Sequence, residues 1–251
     1  MKTVLITGAT SGIGLATAKK FAEDGQYQLI ICGRRQNRLD QLKHELNDTT
    51  NVTDLSFDVR DKQAVHKAIQ SIPEHFKKID ILINNAGNAH GLDYIQDGNT
   101  KDWDAMMDIN VKGLLYVSKP IIKQMIKHQS GHIINIGSTA GKEVYPKGNV
   151  YCASKHAVNA INTSMRLDLN EHGIRVGAVN PGLVKTEFSE VRFKGDTDRA
   201  SGVYKGYQAL KPEDIADIIH FCVSRPYHVN IADLVVFPTA QASSTQIKKE
   251  L

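Results

Sequence analysis

Tyr151 and Lys155 stand four residues apart in the segment Y-C-A-S-K, and Ser138 lies thirteen residues before the tyrosine at the end of an apolar run. Side chains four apart on a helix are neighbours, so this spacing puts a phenol and an ammonium on one helix face, opposite whatever is bound there, with a hydroxyl aimed at both. A free tyrosine, with a pKa of about 10, is a poor base at neutral pH. Nearby positive charge favours the phenolate. Lowering the pKa by two to three units needs roughly 3–4 kcal/mol, which one or two charges at partial burial can supply. The set therefore reads as a proton-transfer device: Tyr151 gives or takes the proton, Lys155 holds it acidic, and Ser138 orients a substrate hydroxyl or carbonyl. For a Tyr–Lys pair taken alone, an aromatic ring packed under an alkyl stem is the ordinary alternative.

T-G-A-T-S-G-I-G (Thr7–Gly14) offers something for that device to work on. It lies between an apolar strand and a helix, where glycines permit a tight turn and the free N–H groups of the helix N-terminus favour a pyrophosphate. Gly8, Gly12 and Gly14 are spaced G-x-x-x-G-x-G rather than the common G-x-G-x-x-G. A turn that is glycine-rich for geometry alone is the competing reading, and the position in the first strand–helix unit favours the dinucleotide. The end of the second strand then selects the dinucleotide. An NAD site carries an acidic residue there for the ribose 2′-hydroxyl, whereas this chain has Cys32-Gly33-Arg34-Arg35. Two permanently charged planar forks suit a 2′-phosphate, so NADP(H) is the expected cofactor, against a merely solvated basic turn.

These groups need a scaffold, and strand-like and helix-like segments alternate along the whole chain. Strands are predicted at Thr3–Thr7, Tyr27–Cys32, Val52–Phe57, Ile79–Ile83, His132–Ile136, Ile174–Asn180 and Leu234–Phe237. Helices are predicted from the cradle to about Gly25, then over Asn37–Leu46, Asp61–Ile72, about Lys101–Lys127 with a break or bend at Pro120, Val150–Glu171, and about Pro212–Val223. Near-continuous apolar strands alternating with helices argue a parallel sheet covered on both faces. The fold class is thus α/β, a doubly wound seven-stranded parallel sheet of Rossmann type, and with no linker the chain reads as one domain over residues 1–251. Pockets in such sheets open beyond the C-terminal strand ends, where Gly8–Gly14, Gly33–Arg35, Asp58, Asn84–Gly87, Ser138 and Pro181–Gly182 fall. Asp58 and Asn84–Gly87 also admit a simpler reading as turn residues. The glycine- and charge-rich stretch at about 183–210 is expected to form a loop over the site, and the polar segment Gln241–Leu251 either a disordered end or a subunit contact.

Composition excludes other classes. A formal charge of +4 spread over short doublets is a solvated surface, which argues against nucleic-acid and membrane partners. Three widely spaced cysteines read as reduced, buried thiols of a cytoplasmic protein, with Cys152 a packing residue beside the tyrosine. Strand-type residues begin at Thr3, so no leader is expected. The histidines show no metal-ligand spacing, so no metal is expected.

Six motifs in chain order now resemble one family: T-G-x-x-x-G-I-G (Thr7–Gly14), N-N-A-G (Asn84–Gly87), the asparagine of D-I-N-V-K-G (Asn110), I-N-I-G-S (Ile134–Ser138), Y-x-x-x-K (Tyr151–Lys155) and N-P-G-L-V-x-T (Asn180–Thr186). They are similar to those of the short-chain dehydrogenases/reductases. The resemblance implies a catalytic tetrad of Asn110, Ser138, Tyr151 and Lys155, with Lys155 also on the nicotinamide ribose and Asn110 anchoring a water in a proton relay. It implies cofactor contacts from Gly8, Thr10, Ser11, Gly12, Ile13 and Gly14, from Asp58 and Val59 at the adenine, from Asn85, Ala86 and Gly87, and from Tyr151 and Lys155. Pro181, Gly182, Val184 and Thr186 would line the nicotinamide side, and the oligomer would be a homotetramer.

G-N-V-Y-x-A-x-K (Gly148–Lys155), Pro181–Asp196 and A-L-x-P-E-D (Ala209–Asp214) further resemble the NADP-dependent 3-hydroxy acid dehydrogenases. That group oxidises L-serine, L-allo-threonine and related small 3-hydroxy acids. Arg192 or Lys194, in the loop over the nicotinamide, is then expected to pair with the substrate carboxylate. A general carbonyl or 3-oxoacyl reductase is the enzymatic alternative, and a non-catalytic nucleotide sensor the alternative of another class.

Overall fold

A computed structural model describes residues 1–250. Its strands β1 (Lys2–Thr7), β2 (Tyr27–Gly33), β3 (Val52–Ser56), β4 (Ile79–Asn84), β5 (Gly131–Ile136), β6 (Ile174–Pro181) and β7 (Asp233–Val236) form one seven-stranded sheet in the order β3-β2-β1-β4-β5-β6-β7. Every pairing is parallel. Side chains alternate across a strand, so Val4, Ile6, Leu29, Ile31, Ile81 and Ile83 point to one core, while Leu5, Ile30, Cys32 and Leu82 point to the other.

The first core is covered by α1 (Gly12–Asp24), α2 (Gln36–Leu46) and α9 (Pro212–Ser224), through Phe21, Leu39, Ile215 and Ile219. The second is covered by α3 (Lys62–Gln70), α5 (Leu114–His128) and α6 (Asn149–Leu169), through Val65, Ile121, Met125 and Val158. Each such buried side chain contributes about 1.5–3 kcal/mol. The doubly wound sheet matches the expectation. Chain order reverses between β1 and β4, so a crevice opens at their C-terminal ends.

Two expected features differ. The long helix is interrupted at a π-helical stretch, Asp108–Gly113, between α4 (Thr100–Met107) and α5, while Pro120 sits inside an unbroken α5. An internal proline costs about 3 kcal/mol, and the burial of Val117, Ser118, Ile121 and Met125 on the same helix outweighs that locally. The π stretch has a tertiary cause: it swings Asn110 inward, and Gly113 fits against Val59, where a methyl group would stand 2.7 Å from Cγ2. π turns of this kind occur frequently at functional sites.

The stretch 183–210, expected as a loop, contains α7 (Phe188–Arg192) and α8 (Thr197–Gly202). Its two ends are stapled by a Val184–Leu210 bridge, with Lys185 N donating to Leu210 O at 2.8 Å and Leu210 N to Leu183 O at 3.0 Å. It is a closed flap rather than an open loop. The tail is equally well placed: Lys248 N donates to Ala240 O at 2.8 Å and Glu250 N to Gly206 O at 2.7 Å, which lays residues 241–250 on the flap. That replaces the expectation of a disordered end over the described residues 241–250; Leu251 lies outside them.

Candidate active site

The crevice holds a cavity of about 550 Å³, walled by the segments that follow β1, β2, β3, β4, β5 and β6 together with the flap. Its β1 side is the cradle. Gly8 and Gly12 adopt left-handed backbone conformations (φ 68° and 52°) that other residues resist. Ser11 caps α1 without a side-chain hydrogen bond, and the first turn carries no acidic residue, so the helix N-terminus faces the cavity with its N–H groups uncapped.

Thr10, Ser11 and Ile13 line the wall with the two glycines, as do Arg34, Arg35, Asp58, Val59, Asn85, Ala86, Gly87, Pro181, Gly182, Val184 and Thr186. Gly14 is not on the wall. It supports the cradle from behind, where a methyl group would stand 2.3 Å from Gly8 O and 2.4 Å from Asn85 Nδ2. Asn85 Nδ2 in turn donates to Thr7 O at 2.9 Å, tying β4 to the cradle.

Past β2 the wall is cationic. Arg34 is mostly exposed and lies 3.8 Å from Asp58 Oδ2. Arg35 donates from Nη2 to Thr10 Oγ1 at 3.1 Å. Arg38, one helical turn further, reaches the same place, and its position three residues after Arg35 was the available signal for a third cation. Asp58 accepts a forked bond from Arg60 Nε and Nη2 (3.0 and 2.7 Å). Burial pushes its carboxyl up, but Arg60 and Arg34 together hold it below the usual carboxylate range.

Tyr151, Lys155 and Ser138 all line this cavity. Ser138 Oγ accepts the Ala140 N–H at 3.1 Å, leaving its own proton to donate outward. Lys155 is buried, with Nζ donating to Ile136 O at 2.9 Å. Asn110 lies behind the wall rather than on it. Its Nδ2 donates to Asn88 O (2.8 Å) and Ser154 Oγ (3.0 Å), and its Oδ1 accepts the Asn88 N–H (2.9 Å). A methyl group at Gly87 would stand 3.1 Å from Asn110 Oδ1 and 3.6 Å from Lys155 Nζ, so both atoms border one small space.

Burial pushes the Tyr151 phenol above its ordinary range, and Ser138 and Arg192 pull it part of the way back. The same burial pushes Lys155 down to about 8. Between pH 8 and about 10.5 the unfolded chain therefore binds more protons than the folded one at this lysine, and stability rises with pH there. Urea titrations from pH 7 to 10 should show wild type gaining on Lys155→Met above pH 8. A gap that shrinks as pH rises would mean that the ammonium is favourably paired.

The flap supplies the remaining wall. Arg192 Nε donates to Gly91 O and Nη1 to Tyr145 Oη, both at 3.1 Å, and its guanidinium carbon lies 5.6 Å from the Tyr151 ring centroid. The Phe188 ring packs at 5.6 Å from the same ring. Lys194 does not reach the cavity: its Nζ pairs with Asp102 Oδ2 at 2.8 Å. Of the two cations weighed for a carboxylate, only Arg192 faces the site. Tyr145, Phe188 and the tail residues Gln241, Ser244 and Ile247 are wall residues that sequence reasoning did not find. The tail carried no motif to mark it, being brought there by the Leu183 N–H bonding to Gln241 Oε1 at 2.9 Å.

A glycine turn at the switch point of a doubly wound sheet, with tyrosine, lysine and serine on the same crevice wall, defines a class. The short chain dehydrogenase family model matches residues 2–196, and the chain belongs to the short-chain dehydrogenase/reductase family of oxidoreductases. Among its relatives, the NADP-dependent 3-hydroxy acid dehydrogenase YdfG of Salmonella typhi is 43% identical over 240 residues, covering 95% of this chain and 96% of that protein. An NADP-dependent 3-hydroxy acid dehydrogenase of Schizosaccharomyces pombe is 40% identical over 251 residues, covering 99% and 97%. A closed form of serine dehydrogenase complexed with NADP+ superposes with a TM-score of 0.93 at 40% identity, covering 99% of this chain and 100% of that one.

Proposed function

We propose that this protein is an NADP(H)-dependent dehydrogenase acting at C3 of small 3-hydroxy acids such as L-serine, L-allo-threonine and 3-hydroxypropionate. The observation that carries the reading is a fixed guanidinium, Arg192, beside the ring of the buried tyrosine in a nucleotide-type crevice. The residues fit the cofactor: the Gly8–Gly12 turn would admit close backbone approach, an uncapped helix N-terminus would hold a pyrophosphate, and Arg34 and Arg35 on the crevice wall, with Arg38 beside Arg35, offer the donors a 2′-phosphate would take. The names of the relatives support both NADP and the substrate class.

When bound, NADP+ supplies the acceptor for the hydride that leaves C3. Ser138 donates to the substrate oxygen, which its bond from Ala140 N leaves it free to do, and Tyr151, having first passed its own proton to the relay, takes the hydroxyl proton as the phenolate. Lys155 and Asn110 border a space suited to a relay that returns the proton to solvent. Arg192 pairs with the carboxylate, placing C3 rather than C1 at the phenol. In reverse, a phenol that burial keeps protonated is ready to donate to the oxygen of a 3-oxo acid. A 3-oxo acid formed in the forward direction loses CO2 readily, so serine would end as an aminoaldehyde.

A homotetramer in a reducing cytoplasm belongs to the same reading. It is supported by the family, by exposed Leu115 and Leu167 on α5 and α6, and by unpaired buried Cys32, Cys152 and Cys222. No helix among the described residues is long and apolar enough to cross a membrane.

Arg192→Ala tests the carboxylate assignment. Charge-assisted hydrogen bonds contribute about 1.5–3 kcal/mol, so kcat/KM for 3-hydroxypropionate should fall roughly 10- to 100-fold, chiefly through KM, with an uncharged alcohol far less affected. Unchanged kinetics with serine and 3-hydroxypropionate would remove Arg192 from the site.

A further inference from the structure

Two of the three arginines placed for the 2′-phosphate are already holding an anion. Glu187 stands at the start of α7, and its carboxylate accepts from Arg35 Nη1 at 3.0 Å and from Arg38 Nη1 at 2.6 Å. Arg35 also donates from Nη2 to Thr10 Oγ1, so cradle, second-strand turn and flap meet at one point. The contact joins residues about 150 positions apart in sequence, and Arg35, Glu187 and Thr10 all line the crevice. All three charged side chains are partly exposed, so a second anion can reach the guanidiniums. Carboxylate and phosphate seek the same planar donors, and two anions cannot share one fork without repulsion.

We propose that Glu187 is an internal competitor of the cofactor's 2′-phosphate, a specificity-tuning residue whose carboxylate must leave Arg35 and Arg38 before the phosphate can take them. This deepens the NADP(H) reading and rests on it. Binding of the phosphate and attachment of the flap to α2 then exclude one another. The flap end so released is the one that carries Phe188 and Arg192 to the Tyr151 ring. A nucleotide lacking the 2′-phosphate leaves the Glu187 contacts in place. The carboxylate therefore weakens NADP(H) binding selectively and speeds its exchange, while leaving NAD(H) untouched.

Calorimetric titration with adenosine 2′,5′-bisphosphate and with 5′-AMP tests this without turnover, since the two probes differ by the 2′-phosphate alone. Glu187→Gln keeps the size of a partly exposed side chain, and thermal unfolding of the variant verifies that it is folded. For half-exposed ion pairs, Glu187→Gln should bind the bisphosphate roughly threefold to tenfold more tightly, with 5′-AMP affinity unchanged. Glu187→Ala should change the ratio of the two affinities in the same direction. An unchanged or smaller ratio in both variants overturns the competition while leaving the cofactor assignment standing. A wild-type protein that binds the two probes equally overturns the 2′-phosphate reading itself, and the competition with it.

Discussion

Tyr151→Phe is expected to lower kcat/KM for 3-hydroxy acids by about 10²–10⁴-fold, the range that a positioned general acid or base supplies. The substitution removes one oxygen and keeps the ring. The ring is buried, packed against Phe188 and under the Arg192 guanidinium, so its contacts survive the change. Stability should change little, because the ring contacts remain and only the hydroxyl at the cavity wall is lost. Nucleotide binding should be unaltered, since the cradle and the arginines lie across the crevice from α6. Steady-state kinetics, thermal unfolding and cofactor titration on one preparation check all three. Residual activity within tenfold of wild type would mean that another group moves the proton.

Gly14→Ala is expected to abolish cofactor binding at concentrations that saturate the wild type. The added methyl would lie 2.3 Å from Gly8 O and 2.4 Å from Asn85 Nδ2, distances at which one of the partners must move. Gly8 belongs to the cradle and Asn85 is bonded to it. Moving Gly8 disturbs a residue already in the left-handed region, and moving Asn85 breaks its bonds to Thr7 O and Gly8 O. Overpacking of this kind costs about 1–3 kcal/mol, so the variant should fold with a lowered Tm while losing the geometry its N–H groups need. Gly25→Ala is the matched control: no atom lies within 4 Å of its added methyl, so only its left-handed backbone is strained. It should lose stability and keep cofactor affinity. Normal NADP binding by Gly14→Ala would show that the cradle tolerates a shift and is not the phosphate site.

Much of this was legible in the residues. The alternation of apolar strands and helices marks a parallel sheet because its strands are buried on both faces, as Leu5 and Ile6 are on opposite sides of β1. The cradle, Tyr151, Lys155 and Ser138 were legible because each depends on spacing within one or two elements. What failed to show depends on distant partners. The π stretch at Asp108–Gly113 comes from Asn110 reaching the Asn88 backbone, and the local sequence is helix-compatible throughout.

Arg192 and Lys194 are two residues apart in one flap. What separates them is Asp102, which draws Lys194 away, and Gly91 with Tyr145, which hold Arg192 at the site. The direction of the tyrosine's shift is not legible in the sequence for a related reason. A Tyr–Lys spacing gives adjacency, whereas the direction of the shift is decided by burial, and burial is a property of the assembled flap, sheet and α6.

The central claim, hydride removal from C3 of small hydroxy acids with NADP+, is tested most directly by the initial rate of NADPH formation across a matched panel. L-Serine, L-allo-threonine and 3-hydroxypropionate would be run beside uncharged alcohols of similar carbon skeleton, each with NADP+ and with NAD+, and uncharged ketones and 3-oxoacyl thioesters with NADPH. The expected result is turnover of the acids with NADP+, much slower turnover with NAD+, and little with the uncharged alcohols. Absence of activity on every acid, together with brisk reduction of the ketones or thioesters, would contradict it.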